Sequence, residues 1–325
     1  RFRDVSREAG IAAVADAGLG VVAADFDDDG WIDVFVANDA DPNHLWINQR
    51  DGTFAERAMV LGAAFNEYGV AEAGMGIAAG DVDSDGDLDL FVTHLIGETN
   101  TLYLNLGASG FADATAASGL GPPGAAYTGF GTAFFDLDND GDLDTAVANG
   151  GVKRRPVIAE GAAPGFWQPY VEPNLAFGNR GDGKFTPLPA WSAIEVSRGL
   201  LPFDHDRDGD LDLLITTIDG PAHLYRNEGA NQSSWIEIRA VDPSLHREAL
   251  GAKVTAVAGD RRFVRHAISS GGYLTSGHGW IHLGLGSTRS VDRFEVRWPD
   301  GATETFAGAE AGRVVELRRG EGQRG

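Results

Sequence analysis

The chain has 325 residues and no cysteine, and its 48 acidic against 26 basic residues leave a net charge of −22. These facts exclude a disulfide framework and thiolate chemistry, nucleic acid or anionic membrane as partners held by bulk electrostatics, and, with no apolar run of about 18 residues, insertion into a membrane. The length predicts roughly two domains, and the charge divides the same way. Residues 1–232 hold 37 acidic against 13 basic residues, whereas residues 233–325 hold 11 against 13.

In chain order, Arg1-Phe2-Arg3-Asp4 followed by VSREAGI reads as the closing strand of a repeat unit whose own loop is missing. Next comes DFDDDGWIDVFVAN, with five carboxylates in the nine positions from Asp25 to Asp33. Two such charges about 5 Å apart repel by roughly 3 kcal/mol at an effective dielectric near 20, so a cation is expected among them. The pattern DxDxDGxxD then returns three times. Asp25, Asp27, Asp29 and Asp33 correspond to Asp81, Asp83, Asp85 and Asp89, to Asp136, Asp138, Asp140 and Asp144, and to Asp204, Asp206, Asp208 and Asp212. Gly30, Gly86, Gly141 and Gly209 permit the turn that brings these carboxylates round one centre. Trp31, Asp87, Asp142 and Asp210 stand where an EF-hand-like loop supplies a main-chain carbonyl. Crowded oxygen donors suit Ca²⁺ better than Mg²⁺, which keeps more of its water.

An EF-hand would require Glu at position 12 and flanking helices. Position 12 is Val36, Val92, Val147 and Ile215, and the runs VFVAN, LFVTH, TAVAN and LLITT read as strands. Each site is therefore expected to be a calcium loop entering a strand, about four Ca²⁺ in all, and a merely solvated acidic turn is the plainer alternative. Second blocks follow: NHLWINQRDGTF from Asn43, NTLYLNLGASGF from Asn100 and NLAFGNRGDGKF from Asn174, each a strand, a turn and a strand opened by Phe54, Phe111 or Phe185. Loop starts 56, 55 and 68 residues apart, with about four strands per unit and no helical period, predict β-propeller blades. The fourth unit, with HLYRNEG from His223, lacks its closing Phe strand. Either the N-terminal strand completes it, or the four units belong to a larger propeller; the start at Arg1 without Met favours the second, a processed product or fragment.

The third unit carries an insertion from Lys153 to Pro173 in which Arg154, Arg155, Trp167, Pro169 and Tyr170 depart from the repeat. Long loops with aromatics are where binding surfaces tend to lie, though a simple spacer would read the same way. Arg180-Gly181-Asp182 spells an adhesion tripeptide but coincides with the repeat's own turn. Beyond residue 233, WIEIRAV, KVTAVAG, WIHLGLG and RFEVRWP alternate in the manner of strands. They predict a small β-sandwich over residues 233–325, with a short tail, whose inward face includes Trp235, Ile238, Val254, Val257, Ile281, Leu283, Phe294, Val296 and Trp298. His278 and His282 stand four apart, a metal-binding spacing on a helix, but in a strand they read as core or turn histidines.

The units from 1 to about 230 resemble FG-GAP/VCBS repeats. GMGIAAGDVDSDGDLDLFVT and DGPAHLYRNEG resemble the cartilage acidic protein-like group, and residues 233 to about 318 follow the motif order of the ASPIC/UnbV domain that this group carries. The resemblance implies a calcium-stabilised scaffold for binding or adhesion, secreted or held at the cell surface or in the periplasm, with a protein or carbohydrate partner. The alternative is an enzyme framed by the propeller, a hydrolase or a metal-dependent oxidoreductase. Against it, no nucleophile elbow or triad order is legible, and the carboxylate clusters are taken up by the loops. Millimolar calcium outside cells, acting on sites of about 10⁻⁴ to 10⁻³ M affinity, would add roughly 2 to 6 kcal/mol over four loops. Residues 233–325 are expected to be nearly indifferent to that calcium.

Overall fold

The computed structural model describes residues 1–159, 163–189, 193–218, 220–229 and 233–325. The fold is all-β and propeller-like. Strands β1 (Gly18–Ala24), β2 (Asp33–Asn38), β3 (His44–Asn48) and β4 (Phe54–Glu56) form an antiparallel blade in that order, and β5 (Ile77–Gly80), β6 (Asp89–Val92), β7 (Thr101–Asn105) and β8 (Phe111–Asp113) form the second. In the third, β9 (Gly129–Phe135) and β10 (Asp144–Asn149) open the sheet. The insertion follows and ends at the short β11 (Glu172–Pro173), and β12 (Leu175–Asn179) and β13 (Phe185–Leu188) complete the blade. Strand β14 (Ile194–Glu195) pairs with β11, and β15 (Ser197–Phe203), β16 (Asp212–Thr217) and β17 (His223–Tyr225) make the fourth blade.

Sequence explains why these strands lack clean polar alternation. A blade in the middle of a propeller is covered on both faces, so both phases of its central strands must be apolar. In β6, Leu90 and Val92 join Val22, Phe35 and Leu45 of the first blade, while Phe91 joins Val147, Phe177 and Phe185 of the third. Phe135 and Ala146 of the third blade meet Leu200, Leu213 and Ile215 of the fourth in the same way. The innermost strands β1, β5, β9 and β15 follow one another as neighbours.

The expected closing strand at the N-terminus does not form. Residues 1–5 have no regular structure, and the segment behind them runs along the first blade, where the Phe54 N–H donates to the Ala9 carbonyl at 2.8 Å. A strand requires a neighbour with free main-chain groups, and Arg1–Asp4 meets none. Among the described residues the fourth blade has three strands.

The C-terminal region packs two sheets face to face. One contains β18 (Ser234–Asp242), β19 (Arg247–Glu248), β24 (Ile281–Gly286) and β27 (Arg313–Arg318), which runs parallel to β18. The other contains β20 (Lys253–Ala258), β21 (Arg261–His266), β25 (Ser290–Arg297), β26 (Thr303–Glu310) and β28 (Gln323–Arg324). Of the expected inward residues, Ile238, Val254, Ile281, Leu283, Phe294, Val296 and Trp298 lie in the core, and Val257 is buried beside it. Trp235 does not. Strand β18 buries Ile236, Ile238 and Ala240, so period-2 alternation turns Trp235 outward with Glu237 and Arg239. Its ring covers Gly209 of the fourth blade.

That contact belongs to a broad junction. A short hairpin, β22 (Ser270–Gly271) and β23 (Thr275–Ser276), reaches from the sandwich onto the innermost strands of all four blades. Ser270 Oγ accepts the Ala23 N–H at 3.0 Å, the Ile77 N–H donates to the Gly272 carbonyl at 3.2 Å, Tyr273 meets Phe130 edge-on at 4.9 Å between centroids, and Thr275 packs on Gly199. The sandwich is therefore seated on the propeller, and the expectation that it is indifferent to the state of the blades is revised.

Candidate metal centres

Each Asp loop joins the first strand of its blade to the second, so all four share one rim. The backbone of each loop is built the same way. Position 4 is left-handed in all four, with φ 57 at Asp28, 64 at Ser84, 59 at Asn139 and 64 at Arg207, and the glycines at position 6 lie between 91 and 101. The position-6 N–H donates to the first carboxylate at 2.9 to 3.0 Å in every loop, to Asp25, Asp81, Asp136 and Asp204. At position 7 the N–H of Trp31, Asp87, Asp142 and Asp210 donates to the carboxylate at position 5, which holds that peptide beside the cluster.

Carboxylate oxygens of Asp25, Asp27 and Asp29, of Asp81, Asp83 and Asp85, of Asp136, Asp138 and Asp144, and of Asp204, Asp206 and Asp208 converge within 4.8 Å of one another. A fifth group, His205, Asp206 and Asp212, adds an imidazole at the fourth loop. His205 stands at position 2, and spacing alone had given it no role.

Position 9 is tied into the main chain. Asp33, Asp89, Asp144 and Asp212 each accept two main-chain N–H groups, one from position 2 at 2.9 to 3.0 Å and one from Asn48, Asn105, Asn179 or Asn227 at 2.8 Å. They clamp the loop to the end of the third strand, and only Asp144 and Asp212 also fall in a cluster. Burial pushes Asp33 up to about 7, Asp89 to about 8 and Asp144 to about 7, with neighbouring carboxylates adding to the rise. Asp136 is raised to about 7 and Asp81 to about 6 for the same first reason. Desolvated anions held together at this cost call for a cation. The donor set fits a hard divalent ion: oxygen ligands on a turn, with Asp81 Oδ1 and Asp210 Oδ2 buried and without a hydrogen-bond partner.

The asparagines that end the third strands were not singled out in the sequence, although they recur in INQ, LNL, GNR and RNE. Their side chains tie blade to blade. Asn105 Nδ2 donates to the carbonyls of Leu88 and Phe26, Asn179 to those of Leu143 and Val82, and Asn227 to that of Leu137. In each case the carbonyl of Phe26, Val82 or Leu137 is position 2 of the preceding loop. Asn48 donates to Ile32 of its own blade.

The second missed feature is a set of cations from the sandwich. Arg297 bonds Asp25 at 2.9 Å and pairs with Asp28, Lys253 pairs with Asp28 at 3.1 Å, and Arg261 and Arg265 donate to the carbonyls of Asp140 and Gly141. Main-chain groups join them, with the Gly284 N–H on Asp136 at 3.0 Å and the Gly286 N–H on the Asn139 carbonyl at 2.8 Å. A sequence reading shows the two charge balances but not that one region sits on the other.

His278 and His282 belong to no metal cluster among the described residues. His282 Nε2 donates to the Gly209 carbonyl at 2.9 Å, and His278 Nδ1 accepts the Trp280 N–H. Arg180-Gly181-Asp182 forms the turn between β12 and β13, with Asp182 paired to Lys184 at 3.1 Å. In the insertion, Arg155 is held by Glu172 at 3.1 Å and by the Ala126 carbonyl, while Phe166, Trp167 and Tyr170 cluster at 5.0 to 5.9 Å and Phe166 is 69% exposed. Residues 160–162 of the insertion lie outside the described residues. No helix among the described residues is long and apolar enough to cross a membrane.

Residues 9–92 match the FG-GAP-like repeat family, and residues 242–324 match the ASPIC and UnbV family. The chain is similar to cartilage acidic protein 1 of Homo sapiens, 25% identical over 218 residues that cover 64% of this chain and 31% of that protein. Against cartilage acidic protein 1 of Mus musculus it is 26% identical over 238 residues, 70% of this chain and 33% of the other. The chain thus spans about a third of the length of these relatives. Among solved structures, a lectin of Agrocybe aegerita described as recognising non-reducing terminal N-acetylglucosamine overlaps 90% of this chain and 80% of its own, at 14% identity and a TM-score of 0.40, too loose an overlap to carry an argument. With both modules in one chain, the protein carries FG-GAP-like repeats followed by a C-terminal ASPIC/UnbV module, and it is weakly similar to cartilage acidic protein 1.

Proposed function

We propose that the chain is a calcium-stabilised binding scaffold that works outside the cytoplasm, secreted or at a cell surface. The observation that carries this reading is the convergence of three carboxylate oxygens in each of the four loops, on a backbone repeated loop by loop. Calcium there is structural: it neutralises anions that the fold has already buried, and the loops belong to the framework rather than to an open catalytic cleft. Residues Asp25, Asp27 and Asp29 and their counterparts would hold it, and the position-9 clamp would keep each loop in shape.

The partner is a protein or a carbohydrate, and the surface offered to a protein is the insertion, where exposed Phe166 stands beside Trp167 and Tyr170. Aromatic side chains carry much of the energy of typical interfaces. Calorimetric titration of the metal-free full chain with Ca²⁺ tests the reading. About four equivalents should bind at sub-millimolar to millimolar concentration with a rise in melting temperature, and Asp83→Asn should remove one of them. No uptake and no thermal shift at 5 mM, roughly five times the weakest affinity expected of extracellular modules, would sink it.

A further inference from the structure

The fourth loop departs from the other three at position 2. In the first three loops that residue is apolar and packs on the next blade: Phe26 meets Phe111 edge-on at 6.3 Å, Val82 shares a core with Phe177 and Phe185, and Leu137 lies against Leu211 and Leu213. In the fourth it is His205. Its ring turns back into the loop, with Nδ1 2.5 Å from Asp212 Oδ2 and 4.0 Å from Asp206 Oδ1. One donor atom from each of these three residues lies within 4.8 Å of the others.

Two features separate this group from an acidic turn. The first is the nitrogen donor: calcium is held by oxygen, whereas imidazole suits zinc, copper and nickel. The second is the way Asp206 is divided. Arg226 Nη2 lies 3.1 Å from an Oδ2 of both Asp206 and Asp208, so a guanidinium already serves the pair of carboxylates that calcium would use. Asp206 Oδ1 is the oxygen nearer His205. The spacing also suits one small ion. Donors about 2.1 Å from a shared ion stand roughly 3 to 4 Å apart, a range that 2.5 and 4.0 Å bracket closely.

We propose that His205, Asp206 and Asp212 form a second kind of metal site, one for a borderline divalent transition metal ion, with zinc as its probe. Asp212 is the rigid ligand. Its side chain is 1% exposed, and the N–H groups of His205 and Asn227 fix it at 3.0 and 2.8 Å, the outer contacts that orient a metal-bound carboxylate. His205 and Asp206, with side chains 29% and 30% exposed, form the side by which an ion enters, and water completes its shell there. The ion stands where a proton on Nδ1 would otherwise meet Asp212, and the neutral ring carries its proton on Nε2. Asp206 also belongs to the group of Asp204, Asp206 and Asp208. The two ions therefore exclude one another, and the fourth loop exchanges calcium for the transition metal while the first three, whose groups are all carboxylate, do not.

The inference rests on the reading of the loops as metal centres, and both ions are counted in one experiment so that each can fail alone. The full chain is dialysed against micromolar zinc in about 1 mM Ca²⁺, near the affinity expected of such loops, and both metals are measured per chain. One zinc should bind and one calcium should leave. His205→Phe places in the fourth loop the residue that the first loop carries, and it should weaken zinc roughly 10- to 100-fold without lowering the calcium count. His205→Asn, which keeps a donor for Asp212 but no imidazole, should do the same. Asp208→Asn, whose side-chain carbonyl can still accept the Asp210 N–H, should cost a calcium and leave zinc in place. Nitrogen-15 spectra of the imidazoles should show zinc moving His205 Nδ1 while His44 and His223 stay unchanged. Calcium bound with no zinc, zinc uptake unaltered in both His205 variants, or zinc that moves His44 or His223 instead would each overturn the inference. Zinc at His205 with no calcium on any loop would support it and sink the calcium reading alone.

Discussion

The asparagine ties make the sharpest test of how the blades are held together. Replacing Asn105 by Ala removes two donated bonds, to Phe26 at 2.8 Å and Leu88 at 3.2 Å, and one accepted from the Gly107 N–H at 3.1 Å. Asn105 is 2% exposed, so water cannot stand in for the lost amide. With about 1 kcal/mol net for each of the three bonds and about 1 to 3 kcal/mol for a buried carbonyl left unpaired, the cost comes to about 4 to 6 kcal/mol. Asn48→Ala provides the control. Its half-buried amide donates to one carbonyl of its own blade at 3.1 Å and accepts the exposed Arg50 N–H at 2.9 Å, so about 1 to 2 kcal/mol is expected. At roughly 2 to 3 °C per kcal/mol for a chain of this size, Asn105→Ala should melt about 8 to 18 °C below the parent and Asn48→Ala about 2 to 6 °C below. Differential scanning calorimetry at saturating calcium reads both. If Asn105→Ala cost no more than Asn48→Ala, the bond to the preceding loop would contribute nothing to blade packing and the tie would be incidental geometry.

Three further outcomes are expected. Chelation should lower the melting temperature of the whole chain in one transition, by the equivalent of roughly 2 to 6 kcal/mol over four loops, because the hairpin at Ser270–Ser276 and the arginines at the rim join the sandwich to the blades; two separated transitions, with the sandwich unmoved, would refute the coupling. Gly209→Ala should destabilise the chain far more than Gly86→Ala. Both glycines have positive φ, which costs about 1 to 2 kcal/mol with a Cβ, but the Cβ at 209 would also overlap the Trp235 ring, whereas at 86 the nearest atom is Lys253 Nζ at 3.9 Å; equal melting temperatures would mean that Trp235 does not seat the sandwich. Finally, Glu237 has a folded-state value raised to about 7 from the ordinary 4.5 by burial, with Asp204 adding to the rise and Arg207 and Arg239 opposing it. Its contribution is therefore present below about pH 4.5 and is lost as pH rises through 7, so urea midpoints of the parent chain should fall between pH 5 and 8 more steeply than those of Glu237→Gln; parallel profiles would place the carboxyl in water.

The amino-acid sequence by itself determined the repeat, the loops and the class of fold, because these depend on short-range relations. DxDxDG fixes a turn through its glycine and its own carboxylates, and VFV, LFV and LIT mark strands buried on both faces whatever they pack against. The Asn that ends each third strand was equally periodic, but its meaning lies in a carbonyl 79, 97 or 90 residues away, and periodicity does not name a partner at that distance. WIEIRAV alternates in either phase, so only the packing of the two sheets decided that Ile236 faces inward and Trp235 faces Gly209. The seating of the sandwich on the rim was decided the same way. Net charges of opposite tendency permit such a contact, but shape decides it, through a hairpin that fits the inner strands and arginines whose reach matches the loops. A cavity at the junction exists only because two regions that read as separate in the sequence close over one another, and burial, unlike a motif, is a property of the assembled fold.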